Sequence, residues 1–105
     1  MMCLYFLKGS SGYIKIGRSS NFDKRLSEIR RGTTDEHVEV LKVFYGDDEY
    51  IRARERELHL DLTDDNFKGE WFHDTENVRL ALECCDREFN PERYTSGHPV
   101  LTNSW

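Results

Sequence analysis

Seven side chains in this 105-residue chain have types and spacings that could do chemistry together: Tyr5, Tyr13, Lys15, Arg18, Arg25, His59 and Glu70. Two phenols, three cations, an imidazole and a carboxylate suit work on a phosphate ester. Cleaving a phosphodiester needs an activated water, neutralisation of charge gathering on the phosphoryl oxygens, and help for a poor alkoxide leaving group. Arginine and lysine meet the second need through charge-assisted hydrogen bonds. A lone carboxylate such as Glu70 suits one Mg²⁺ or Mn²⁺, which keeps most of its waters and takes phosphate oxygens from substrate. A free phenol titrates near pH 10, so Tyr5 could be a base at neutrality only beside positive charge, which Lys15 across a hairpin would supply. His59 could orient water, touch phosphate or assist proton transfer.

The elements that must position these groups can be read from periodicity. Residues 2–8 and 13–17 are short β-prone runs separated by Gly9-Ser10-Ser11-Gly12, a four-residue hairpin loop. Alternation puts Leu4, Phe6, Ile14 and Ile16 on the apolar faces and turns Tyr5, Tyr13 and Lys15 the other way. The two tyrosines then either serve a site or form a cross-strand aromatic pair. Asn21 or Ser20 caps a helix in which Phe22, Leu26 and Ile29 recur at helical spacing until Gly32. Arg25 lies on the flank of that stripe and can reach back over the sheet. Arg18, just ahead of the helix, is expected near its N-terminal amides, making a phosphate seat with Arg25.

Residues 37–45 read as a third strand, apolar on both faces and so expected at the centre of the sheet. A second helix opens after Gly46-Asp47 and carries Ile51, Glu55, Leu58 and Leu62 on one stripe, with His59 beside Glu55. Glu55 is expected to pair with Arg52 or Arg54, and His59 is either a site residue or a partly buried helical histidine. Residues 64–69 read as a polar loop leading into Gly69-Glu70-Trp71-Phe72. Thr75 then caps a third helix, with Val78, Leu82 and Cys85 in register, that fades before Asn90-Pro91. The segment 90–105 is expected to be a tail, packed irregularly through Tyr94, Val100, Leu101 and Trp105 or mobile.

Composition sets the class. With 37% hydrophobic and 33% charged residues in 12.5 kDa, one α/β (α+β) domain is expected, built on a small central three-stranded antiparallel sheet flanked by helices. Net charge is -5, which argues against a generally basic, polyanion-coating surface. The charge is unevenly divided: residues 1–31 hold seven Lys and Arg against Asp23 and Glu28, a net +5, leaving -10 for the rest. A basic first third could aim one face at a polyanion. No run approaches the ~20 apolar residues of a membrane span and no signal peptide is evident, so a cytoplasmic location and no membrane partner are expected. Cys3, Cys84 and Cys85 are an odd number without zinc-site spacing and read as free thiols.

Taken in order, Tyr5, Lys15-Ile16-Gly17-Arg18, Arg25, Glu55-x-x-Leu58-His59 and Gly69-Glu70-Trp71-Phe72 resemble the GIY-YIG endonuclease superfamily. The likeness is to its phage-associated and meiotically up-regulated branch, where the second motif reads K-I-G, and it spans roughly residues 3–85. The resemblance implies a nuclease domain over 1–89 that hydrolyses DNA, with RNA the lesser expectation, using one Mg²⁺ or Mn²⁺ held by Glu70. It implies catalytic roles for Tyr5, Lys15, Arg25, His59 and Glu70, with Arg18, Arg25 and Lys15 at substrate phosphates; Tyr13 joins the phosphate contacts not through the resemblance but because it shares a strand face with Lys15. Two departures stand out: the first motif reads Cys3-Leu4-Tyr5, and Lys15 replaces a phenol that Tyr13 would partly supply. A non-cleaving nucleic-acid-binding module and an accessory protein of a phage or mobile element are the competing readings. Monomer and homodimer are both open.

Overall fold

The computed structural model describes residues 1–95. Its strands are β1 (Met2–Gly9), β2 (Ile14–Ser19), β3 (Val38–Gly46), β4 (Asn66–Lys68) and β5 (Trp71–Phe72). Its helices are α1 (Phe22–Gly32), α2 (Asp48–Asp61), α3 (Glu76–Phe89) and the single turn α4 (Glu92–Thr95). The class is α+β, as expected, but the sheet has five antiparallel strands in the order β3-β1-β2-β5-β4 rather than three. The two extra strands come from the segment read as a polar loop and the aromatic pair that follows it. Strands of three and two residues are too short to show alternation, and β5 exists because it pairs with β2 at Ile14–Phe72 and Lys15–Trp71.

The caps fall where side-chain chemistry places them. Asn21 accepts from the Lys24 amide at the start of α1, and Thr75 accepts from the Val78 amide at the start of α3. The β1–β2 loop is shifted by one residue from expectation, to 10–13, with Gly9 still paired and Gly12 at φ +105°. That shift takes Tyr13 out of β2 and sets Tyr5 opposite Gly17.

Two cores sandwich the sheet. On one face Leu4, Phe6, Ile14, Ile16, Phe44 and Phe72 pack against Ile51 and Leu58 of α2 and Val78 and Cys85 of α3. On the other, Cys3, Tyr5, Leu7 and Val38 pack against Ile29, Phe22 and Leu26 of α1. This three-layer arrangement corrects the reading of β3 as a central strand, for it is an edge strand. Its two apolar faces reflect helices above and below, Phe44 serving one core and Val38 and Val43 the other. Covering a face does not require a neighbour strand.

Candidate active site

The site forms on the α1 face, where β1 and β2 run side by side. Gly17 lies opposite Tyr5, and a β-carbon placed on Gly17 would fall 2.5 Å from the Tyr5 hydroxyl and 3.0 Å from Glu70 Oε1. No side chain but hydrogen leaves both oxygens where they are. Phenol and carboxylate therefore converge over one backbone position. Arg25, rising from α1, places its Nε 3.5 Å from the same hydroxyl and Nη1 3.4 Å from Glu28. The Tyr5 ring is fully buried against Phe22, with centroids 5.6 Å apart, so its hydroxyl is held at a set point.

Lys15 alternates onto the same face and is only 9% exposed. A buried ammonium needs a counter-charge, which Glu70 provides at 3.2 Å, while the Trp71 ring lies 5.3 Å from Nζ. Glu70 is thus both salt-bridged and, at 40% side-chain exposure, open to solvent. Its backbone carbonyl accepts from the Ile16 amide at 3.0 Å, fixing the loop to β2.

Electrostatics correct one expectation about Tyr5. Lys15 lies opposite Leu7, not Tyr5, and its charge goes to Glu70. Burial pushes the Tyr5 phenol above its ordinary value, opposed by the hydrogen bond from Arg25 and reinforced by the negative charge of Glu70. The balance keeps Tyr5 protonated through the neutral range. The same contact pushes the Arg25 guanidinium up, so it stays a cation.

His59, Glu55 and Arg18 form a second cluster on the α2 side. Arg18 Nε donates to Glu55 Oε1 at 3.1 Å, and His59 Nε2 lies 2.9 Å from the Ile16 carbonyl and 3.9 Å from Glu55 Oε2. A carbonyl only accepts, so Nε2 carries hydrogen and Nδ1 is the nitrogen left to take a proton. The Phe72 ring stands perpendicular to the imidazole, 5.0 Å away. His59 and Glu70 accordingly grip the two polar groups of one residue, Ile16. Two expectations fail here. Glu55 pairs with Arg18, whereas Arg52 goes to Asp48 and Arg54 to Glu57 and Glu88. The phosphate seat expected from Arg18 and Arg25 is divided, because alternation along β2 sends Arg18 to the α2 side while Arg25 stands on the α1 side.

Tyr13 is not brought to this centre. It stacks on Phe67, with centroids 3.9 Å apart and planes 7° from parallel, so neither a cross-strand pair with Tyr5 nor a second phenol beside Lys15 is formed. Gly17 and Trp71 belong to the site without being among the residues that type and spacing single out. Gly17 stands out in the chain as the glycine of K-I-G, with no sign there that two oxygens require it.

Among the described residues no group of three or more His, Cys, Asp or Glu could hold a metal ion, and no helix is long and apolar enough to cross a membrane. The described residues place Cys3 and Cys85 in the cores and Cys84 at the surface, all as free thiols. No curated protein and no solved structure matches the chain. The T5orf172 domain matches residues 2–89, nearly the whole of the described fold. The chain therefore belongs to the T5orf172 domain family, a phage-associated, nuclease-related group.

Proposed function

We propose that this protein is a small GIY-YIG-type endonuclease that hydrolyses phosphodiester bonds in DNA with one divalent cation. The observation that carries the reading is the convergence of the Tyr5 hydroxyl and the Glu70 carboxylate over Gly17, with Arg25 on the phenol. Glu70 offers one partly exposed carboxylate, a donor set that fits Mg²⁺ or Mn²⁺ and not the closed nitrogen and sulfur shell of a structural zinc. When bound there, the cation supplies Lewis-acid stabilisation of a phosphoryl oxygen and an activated water.

The chain's own residues do the remaining work. Arg25 and Lys15 hold the scissile phosphate and counter the charge that grows on it. Tyr5 is protonated in the free protein; once the Glu70 charge is countered its proton leaves to solvent, and the phenolate, held by Arg25, takes a proton from the attacking water. His59 moves a proton at Nδ1, its ring oriented by the Ile16 carbonyl. Arg18, braced by Glu55 on the α2 side, meets a backbone phosphate apart from the one held by Arg25 and Lys15. The nuclease unit spans residues 1–89.

Wild type and Glu70→Ala should be incubated with labelled single-stranded, duplex and branched DNA and with RNA, in Mg²⁺, Mn²⁺ or chelator. Cleavage that requires both cation and Glu70 is expected. Uncut substrates throughout would sink the nuclease reading. The burial of Tyr5 and the engagement of Glu70 by Lys15 favour a second reading as a non-cleaving nucleic-acid-binding module. Binding indifferent to metal and to Glu70→Ala, with steep salt dependence, is its signature.

A further inference from the structure

Beside the candidate active site lies a cleft of about 320 Å³ that the chemistry above does not use. Three aromatic side chains, Tyr13, Phe67 and Trp71, contribute to its lining, and Ser11 with Thr33, Thr34 and Asp35 of the α1–β3 loop supply polar groups. We propose that this cleft seats one unpaired nucleobase of the DNA strand whose phosphate occupies the active site, and this inference rests on the nuclease reading above.

The cleft is prebuilt. Tyr13 and Phe67 are stacked in parallel, and His73 stands edge-on to both at 5.5 and 5.6 Å, so the pair is braced. The α1–β3 loop is tied down as well. Asp35 accepts from the Ser11 amide at 3.2 Å and packs directly over Gly9, where a β-carbon would collide with its carboxylate. The Glu36 amide donates to Ser10 Oγ at 2.9 Å, and the Asp35 amide donates to Thr33 Oγ1 at 3.1 Å.

Phe67 is 49% exposed on β4, an edge strand, which core packing does not require of a phenylalanine. An exposed ring backed by a stacked partner is a platform for another flat ring. Polar groups beside aromatic ones in one cleft match a nucleobase, with its π faces and its rim of donors and acceptors. In a duplex both faces are stacked and the rim is paired, so only an unpaired base can enter.

Charge and continuity identify the strand. Trp71 belongs to the cleft and also underlies the Lys15 ammonium at 5.3 Å, so the base seat abuts the proposed phosphate contacts. Lys68 lies opposite Trp71 in the β4–β5 pair, is exposed, and has no carboxylate partner among the described residues. A backbone phosphate can satisfy it.

The test is binding in chelator, where the strand stays intact. A labelled single-stranded oligonucleotide, the same strand with its bases removed, and a duplex are titrated against wild type, Phe67→Ala and Phe67→Leu. Thermal melts check that each variant folds. Wild type should bind the base-bearing strand on the order of 10-fold more tightly than the abasic strand of equal charge. Both variants should lose that preference while holding the abasic strand as before, since leucine keeps bulk without a ring. Equal affinity of wild type for the two single strands, or a preference that survives in Phe67→Leu, would overturn the base seat and leave the nuclease proposal standing. No binding of any strand at low salt would overturn both.

Discussion

Tyr5 shows how burial decides what a side chain can do. Its phenol lies above the ordinary value chiefly because it is desolvated, with Arg25 pulling down and Glu70 pushing up. Replacing Glu70 with Gln should therefore lower the Tyr5 titration, and Arg25→Ala should raise it. Carbon-13 shifts of labelled tyrosine in metal-free protein will read both directions. The linkage sign follows from a raised folded value. Stability from this phenol is complete below about pH 10, where the unfolded chain keeps its proton, and is lost as pH rises through the higher folded value. Gly17 makes the complementary point. Gly17→Ala should keep the fold at a cost of about 1 to 3 kcal/mol, because the neighbouring hydroxyl ends a rigid, buried ring that cannot swing away. DNA cleavage should fall by about 100-fold or more as Tyr5 and Glu70 are forced apart, measured as kcat beside a urea unfolding curve.

Elements are joined by ion pairs that span long stretches of sequence. Asp74, in the β5–α3 turn, accepts from Lys8 of β1 at 2.7 Å and from Arg79 of α3 at 2.8 Å, and these two cations hold its carboxyl well below the usual range. A depressed folded value gives stability that is present above about pH 4 and is lost as pH falls toward the folded value. Asp74→Asn should remove about 1 kcal/mol at neutrality, given partial exposure, and flatten the acid limb of a stability–pH profile. The site's own elements follow the same logic. β2 carries Lys15 and Gly17 to the α1 side and Ile16 and Arg18 to the α2 side. One strand therefore serves both clusters, and its register with β1 sets which oxygens meet.

Across the molecule, the basic first third is mostly neutralised by folding. Lys8, Lys15, Arg18 and Arg25 all find carboxylates, three of them in the acidic remainder. Among the described residues Lys24, Arg30 and Arg31 have no carboxylate partner, and all three lie on α1 with Arg25. α1 is thus the helix from which a DNA backbone would be met. Lys24→Glu combined with Arg31→Glu should weaken binding about equally for all DNA sequences and reduce the slope of log K against log salt by roughly 1 for each phosphate no longer neutralised. Fluorescence anisotropy at several salt concentrations will measure it.

Local order is written plainly in the chain: strand alternation at Leu4, Phe6, Ile14 and Ile16, the Asn21 and Thr75 caps, and the stop of α3 before Asn90. These depend on neighbours a few residues away, whose steric and hydrogen-bonding demands leave a readable period. Tyr5, Lys15, Arg25, His59 and Glu70 were nameable from type and order, and their relation to one another was not. The packing expected of Val100, Leu101 and Trp105 falls outside the described residues, as does the side chain of Tyr94. What tertiary structure alone decided was partnership: Lys15 with Glu70, Arg18 with Glu55, Tyr13 with Phe67, and β5 alongside β2. Arg18 and Glu55 are 37 residues apart and His59 and Ile16 are 43. Such pairs leave no local period, because they exist only once two cores have closed on opposite faces of one sheet and brought distant segments into hydrogen-bond range.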